Sequence, residues 1–79
     1  MTQERITSRF VSIYYELYRN REVRSRAEFC RSLDILPSNF KKIEDGERDC
    51  TVRHICAIIK LWNVNPTWIM TGKGKMFSA

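Results

Sequence analysis

The sequence predicts a small all-α domain of five helices, and three observations indicate this class. Apolar residues recur at spacings of three and four along most of the chain, which is the pattern of helices with one buried face. No segment keeps the alternation of apolar and polar residues that marks a half-buried strand. Glycine (3) and proline (2) are scarce, and most of them fall where a helix would begin or end. The 79 residues make one domain, 1–79, with a single core.

The first helix is predicted over residues 3–19. Its apolar side chains share one face, and its charged side chains face elsewhere. The apolar face consists of Ile6, Phe10, Ile13, Tyr14 and Leu17. The next segment, residues 20–24, is polar and contains two arginines, so we expect a solvated connector.

The second helix begins at Ser25. The Ser25 hydroxyl can accept a hydrogen bond from the amide of Glu28, while the Glu28 carboxylate reaches back to the amide of Ser25. The predicted buried side chains are Phe29, Cys30 and Leu33. The helix ends at Asp34, after little more than two turns.

The third helix is predicted over residues 37–45, after a tight connection at residues 35–36. Pro37 suits its first position, because the amide hydrogen that proline lacks would be unpaired there, and Gly46 ends it. At about 100° per residue, Phe40 and Ile43 lie on one side together with Leu36. The opposite arc is small, polar and mostly cationic; it consists of Ser38, Lys41, Lys42 and Asp45, with Asn39 at its edge.

The fourth and fifth helices have clear boundary residues. Thr51 can cap the fourth helix, and Asn63 closes it. Asn65 followed by Pro66 opens a short fifth helix, which Gly72 ends. The predicted core positions of the fourth helix are Val52, Ile55, Cys56, Ile59 and Trp62. The tail, residues 73–79, is expected to be loosely ordered, although Met76 and Phe77 could fold back onto the core.

The three cysteines are expected to be reduced thiols, because they cannot all pair within the chain and nothing indicates export. Core packing is the expected role of Cys30 and Cys56. Cys50, His54 and Cys56 look superficially like metal ligands, but no Cys-x-x-Cys pair occurs, and residues two apart lie on different faces of a helix. We therefore predict no metal and no cofactor.

The composition limits the classes of function that this chain can have. A formal charge of +5 and a pI near 9.5 favour a polyanionic partner. No apolar run approaches a membrane span or a signal peptide, so we expect a cytoplasmic protein with no membrane partner. With one histidine, no nucleophile–base pair at a plausible spacing and no glycine-rich phosphate loop, we expect neither an enzyme nor a small-molecule substrate.

Three segments resemble, in order, parts of the lambda-repressor-like (Cro/repressor-type, XRE-like) helix-turn-helix family. Residues 25–33 (SRAEFCRSL) resemble the second helix of that family. Residues 37–46 (PSNFKKIEDG) resemble its recognition helix, and residues 63–74 (NVNPTWIMTGKG) resemble its ending. The resemblance covers residues 25–77, about two thirds of the chain, and the first helix matches more loosely.

The resemblance implies a phage-repressor-like transcriptional regulator that binds double-stranded DNA sequence-specifically. Its helix-turn-helix would span residues 25–46, with the third helix in the major groove. The implied base-reading positions are Pro37, Ser38, Asn39, Lys41 and Lys42. The implied phosphate-binding residues are Arg26, Arg48, Thr51 and Arg53. We further expect a homodimer on an inverted-repeat operator, with the fifth helix and the tail as its contact.

Three positions depart from the family pattern. Asp34 stands where the family usually has glycine, although aspartate accepts a left-handed backbone better than most residues. Leu36 stands where a serine or threonine often caps the third helix. Glu44 lies near the buried arc, and Tyr14 takes the place of the arginine that commonly pairs with this glutamate. We therefore expect a hydrogen bond from the Tyr14 hydroxyl to Glu44.

A second interpretation is a protein-interaction module, such as an antitoxin or an adaptor. It would require an exposed apolar stripe, and the candidates are Trp68, Ile69, Met70 and Phe77, which can also serve the core or a dimer contact. A salt-insensitive interaction without DNA would favour this interpretation. Both a complete protein and the DNA-binding part of a longer regulator are compatible with the sequence.

Overall fold

The computed structural model describes residues 2–78, with side chains from residue 5 onward, and it contains five helices and no strand in that part of the chain. In chain order they are α1 (Thr2–Arg19), α2 (Arg26–Leu33), α3 (Pro37–Glu44), α4 (Val52–Trp62) and α5 (Pro66–Thr71). The predicted all-α fold of five helices is confirmed. Each of the described helices is too short or too polar to span a bilayer.

One core joins the helices, and aromatic rings form its centre. The apolar face of α1 is buried as predicted. The ring of Phe10 on α1 lies 6.0 Å from that of Phe29 on α2 and 6.3 Å from that of Phe40 on α3, between ring centroids. The rings of Phe29 and Phe40 are 5.3 Å apart. Tilted and edge-on contacts of this kind are favourable beyond the area they bury, so these rings hold α1, α2 and α3 together.

The ends of α2 differ in one detail from the predicted capping. The Ser25 hydroxyl accepts the amide of Glu28 at 3.1 Å, as expected. The Glu28 carboxylate, however, accepts the amide of Arg24 at 2.7 Å and not that of Ser25. Asp34 closes the helix with a left-handed backbone (φ 57°), a conformation that glycine adopts most readily and that aspartate accepts better than most residues.

Leu36 lies outside the core, contrary to the prediction. Its side chain is 66% exposed, whereas Phe40 and Ile43 are buried as expected. The physical reason is its backbone, which is extended (φ −67°, ψ 137°) before α3 begins. The helical spacing that would align Leu36 with Phe40 does not apply there. No side chain caps this end of α3.

The buried face of α4 also differs from the prediction. Val52 is 75% exposed and Cys56 is exposed, whereas the other predicted core positions are buried or pack against the core, namely Ile55, Ile59 and Trp62. Ile58, which was not predicted, is fully buried. Cys56 is therefore not a core residue, although Cys30 is. Cys50, which was given no core role, is buried instead, and burial raises the pKa of its thiol.

The connector and the tail are more ordered than expected. Val23, in the segment predicted to be solvated, is 1% exposed. In the tail, Phe77 forms an antiparallel bridge with Val64. The amide of Asn65 donates to the carbonyl of Met76 at 2.9 Å, and the amide of Ser78 donates to the carbonyl of Asn63 at 2.9 Å. Residues 76–78 are thus fastened to the loop between α4 and α5, and Met76 and Phe77 pack against the core.

Candidate nucleic-acid interface

The outward face of α3 carries the predicted base-reading residues. Pro37, Ser38, Lys41 and Lys42 are exposed, and Asn39 is half-buried. Opposite them Phe40 and Ile43 enter the core. The helix begins with proline at its first position. The amides of Asn39 and Phe40 then donate to the Leu36 carbonyl, at 2.9 and 3.0 Å. The face that remains is polar and cationic.

The two lysines of this face differ in their surroundings. The Lys41 ammonium lies 3.4 Å from the Asp45 carboxylate, one helical turn away, and both side chains are well exposed. An exposed pair of this kind contributes less than about 1 kcal/mol. Lys42 takes part in none of the ion pairs formed among residues 5–78. Both ammonium groups are therefore accessible to an anionic partner.

One groove joins α3 to three of the four predicted phosphate-binding residues. Asn39 lines it together with Arg48, Thr51 and Arg53, and its volume is about 340 Å³. Two acidic residues, Asp34 and Asp49, also line this groove and offset part of its positive charge. The structure thus brings four of the nine predicted site residues to one groove, although they come from two parts of the sequence, α3 and residues 48–53.

The loop before α4 is positioned by α1. The Thr7 hydroxyl donates to the Asp49 carboxylate at 3.0 Å and accepts the amide of Cys50 at 3.2 Å. Thr7 is itself buried, although it is polar. These bonds fix Asp49 and Cys50, the two residues between Arg48 and Thr51. A fixed loop loses little conformational entropy when it binds a partner.

Thr51 is held in a capping box whose second member the sequence analysis missed. Its hydroxyl accepts the amide of His54 at 3.2 Å, and its own amide donates to Nδ1 of His54 at 3.1 Å. Nδ1 must therefore be unprotonated. Burial, and secondarily the charge of Arg53, lower the pKa of His54. Because the capping Thr51 oxygen acts only as an acceptor, its hydroxyl hydrogen remains for an outside partner.

Arg26 is engaged within the protein. Its guanidinium donates to both carboxylate oxygens of Glu44, the second bond being 3.4 Å long. It also lies 5.3 Å from the ring centroid of Tyr14 and 5.5 Å from that of Phe40. The Arg26 side chain nevertheless remains 41% exposed. A guanidinium has five donor hydrogens, so Arg26 keeps donors for an outside acceptor.

The predicted hydrogen bond from Tyr14 to Glu44 is wrong. The Tyr15 hydroxyl donates to Glu44 instead. Tyr14 points into the core and is buried, whereas Tyr15, one residue further round the helix, is exposed and faces α3. Burial opposes ionisation of Glu44, but the hydrogen bonds from Tyr15 and Arg26 outweigh it and lower the pKa of this carboxylate.

Comparisons of the chain with protein-family models, with curated proteins and with solved structures gave no match. Within residues 2–78, no group of three histidine, cysteine, aspartate or glutamate side chains could hold a metal ion. Function is therefore inferred from the geometry and chemistry of the side chains.

Proposed function

We propose that this chain binds double-stranded DNA sequence-specifically, as a transcriptional regulator that inserts α3 into the major groove. One observation carries the proposal. The polar, cationic face of α3 is continuous, through Asn39, with a groove that Arg48, Thr51 and Arg53 also line. A surface of this kind combines side chains that can contact base edges with side chains that can contact phosphates.

The α3 side chains suit base edges. Lysine can donate to O6 and N7 of guanine, asparagine can pair in two places with adenine, and serine can bond either a base or a phosphate. Lys42, Asn39 and Ser38 supply these groups on one exposed helix face. Leu36, exposed just before α3, offers an apolar contact of the kind that a thymine methyl group accepts. The proposed reading surface therefore extends from Leu36 to Lys42.

The flanking residues suit the DNA backbone. Arg48 and Arg53 are exposed cations in the groove, and Thr51 has a hydroxyl hydrogen free of its capping role. They lie at the start of α4, where backbone amides and the helix dipole also favour an anion. Arg26, on α2, is the fourth proposed phosphate contact, and it makes this contact while its guanidinium stays bonded to Glu44. Contacts of this type fix the orientation of a protein on the duplex without reading its sequence.

The experiment that tests the proposal compares variants of the two sets. Asn39→Ala and Lys42→Ala should each relax the preference at one base pair and cost about 1 to 3 kcal/mol on the preferred site, with little loss on random DNA. Arg53→Ala should weaken binding to all sequences about equally and reduce the salt slope by roughly one unit. The sites are first selected from a random duplex pool, and affinities are then measured by titration.

Lys60→Ala is the matched charge control, because Lys60 is exposed near the far end of α4 and lines a separate groove. It should change neither base preference nor salt slope. The proposal fails if folded Asn39→Ala and Lys42→Ala variants retain every base preference. A tight, salt-insensitive complex with another protein, formed without DNA, would favour an interaction module instead.

A further inference from the structure

A second cationic surface lies on the connector between α1 and α2. An open cleft of about 600 Å³ is lined there by Tyr18, Arg19, Arg21, Val23 and Arg24. Tyr18 is about half exposed, and the three arginines are exposed. This surface is separate from the groove beside α3, and none of its residues has a role in the proposed reading of bases.

The connector holds this surface in place. The amides of Glu22 and Val23 both donate to the carbonyl of Leu17, at 2.8 and 3.4 Å. The Val23 side chain is buried in the core. Arg21 has a left-handed backbone (φ 64°), a conformation that is unfavourable for a residue of this type. A solvated linker would need none of these features. The fold therefore fixes the backbone positions from which the arginine side chains extend.

The charges of the cleft are largely uncompensated. Arg19 forms an ion pair with Glu16 at 2.7 Å. None of the ion pairs among residues 5–78 involves Arg21 or Arg24. The nearest acid in the sequence, Glu22, lines a different groove with Lys60. Like charges held close together repel each other, and a polyanion in the cleft would offset that repulsion.

The connector cleft borders the start of α2. Arg24 also borders a neighbouring cleft, which it shares with Ser25, Glu28 and Arg31. In that cleft the Glu28 carboxylate accepts a hydrogen bond from the backbone amide of Arg24. The next residue after Ser25 is Arg26, the proposed phosphate contact of α2. The last arginine of the connector cleft and the proposed phosphate contact of α2 are therefore two residues apart in the sequence.

We infer that the connector cleft binds backbone phosphates of the same DNA duplex, outside the base pairs that α3 reads. This inference rests on the proposed function. Arg21 and Arg24 supply the charge, and the Tyr18 hydroxyl can donate to a phosphate oxygen. Contacts of this kind add affinity without sequence preference, and each releases about 0.9 counterions. The interface is thereby wider than the groove beside α3.

The test is the double variant Arg21→Asn, Arg24→Gln. Asparagine tolerates the left-handed backbone at position 21, and the hydrogen bond at position 24 uses the backbone amide, so the fold should be retained. We expect the slope of log K against log salt to become shallower by about 0.9 for each lost contact. Affinity at 0.15 M salt should fall by about 3- to 10-fold per arginine, with the base preference of the selected site unchanged.

Two further double variants serve as controls for this experiment. Arg21→Lys with Arg24→Lys retains the charge and should retain most of the salt slope. Arg5→Gln with Lys60→Gln removes the same charge from exposed positions elsewhere and should leave the slope unchanged. Each protein is titrated on a duplex that ends at the selected site and on one extended by about five base pairs at both ends. Relative to the unsubstituted protein, the Asn/Gln variant should lose more affinity for the extended duplex than for the short one.

The inference is overturned if the Asn/Gln variant keeps the salt slope of the unsubstituted protein, or if the Arg5 and Lys60 control loses as much slope. The proposed function fails by a different outcome, namely an unsubstituted protein that shows no base preference in the selection. In that case, the salt slopes of the Asn/Gln variant and the unsubstituted protein on random duplex DNA still test whether the connector cleft binds phosphates.

Discussion

Glu44 receives hydrogen bonds from two other helices. Tyr15 donates from α1 and Arg26 donates from α2, so one carboxylate near the end of α3 fixes the contact among three elements. The lowered pKa of Glu44 means that these bonds favour its charged form. This stabilisation is fully present above the ordinary pKa of a glutamate and is lost as the pH falls through the lowered value.

The substitution Tyr15→Phe tests this assignment at the level of a single atom. It removes only the hydroxyl that donates to Glu44, and we expect it to lower the free energy of unfolding by about 0.5 to 1.5 kcal/mol. Tyr14→Phe is the matched control, because the Tyr14 hydroxyl does not bond Glu44. Urea unfolding at neutral pH measures both changes. A larger loss in Tyr14→Phe than in Tyr15→Phe would contradict the assignment.

At the scale of the helix, α4 shows where sequence periodicity is ambiguous. Its apolar residues occur almost all the way round the helix, so spacings of three and four can be traced along more than one face. The predicted face included Val52 and Cys56, which are exposed, as well as Ile55, which is buried. The fold also buries Ile58, which was not on the predicted face. The choice depends on contacts with α2, which periodicity does not contain. On α1 polar residues separate the apolar positions cleanly, and the predicted face is the observed one.

The start of α4 should give the protein a mild acid sensitivity. The lowered pKa of His54 means that the folded state favours the neutral imidazole. The unfolded chain therefore binds a proton more readily, and stability falls as the pH drops below about 6.5 toward the lowered value. We expect the free energy of unfolding to decrease between pH 7 and pH 5, and chemical unfolding at several pH values measures this decrease.

The matched variant for this prediction is His54→Gln. A glutamine at the third position of a capping box can still accept the amide of Thr51, but it does not titrate. The variant should therefore keep most of the stability at pH 7 and lose the decrease between pH 7 and pH 5. An equal decrease in both proteins would assign the acid sensitivity to another group.

For the whole molecule, we expect binding to depend steeply on salt. If each subunit neutralises roughly four to six phosphates, log K against log salt should have a slope of about −0.9 for each contact. Five of the proposed contact residues are cations, namely Arg26, Lys41, Lys42, Arg48 and Arg53, so this number is attainable. Titrations of the selected duplex between about 50 and 200 mM salt measure the slope. A flat response would overturn the proposed DNA binding.

We also expect two copies of the chain on one operator. A single recognition helix reads only a few base pairs, and two such helices placed about 34 Å apart read the two halves of an inverted repeat. We propose α5 and the tail as the contact between the copies. Sedimentation of the complex gives its stoichiometry, and footprinting gives its symmetry. A monomer on an asymmetric site would refute this arrangement.

The sequence predicted the order and type of the five helices, because caps, prolines and glycines mark their ends locally. It also predicted Phe40 and Ile43 as the buried side of α3. It missed the contacts that join distant residues, such as Tyr15 with Glu44. It also missed the burial of Val23, since a single apolar residue in a polar segment has no periodicity. Local signals fix elements, whereas the partners of a side chain depend on the assembled fold.

The contact between α1 and α5 bears on the order of folding. The Arg9 side chain donates to the carbonyls of Ile69 and Met70, at 2.8 and 3.1 Å, across some sixty residues of chain. Contacts of such long range form late, because a large loop must close first, whereas α2 and α3 are neighbours in sequence. A nascent chain on the ribosome can therefore assemble α2 and α3 early. It completes the packing of α1 only after residue 70 has emerged.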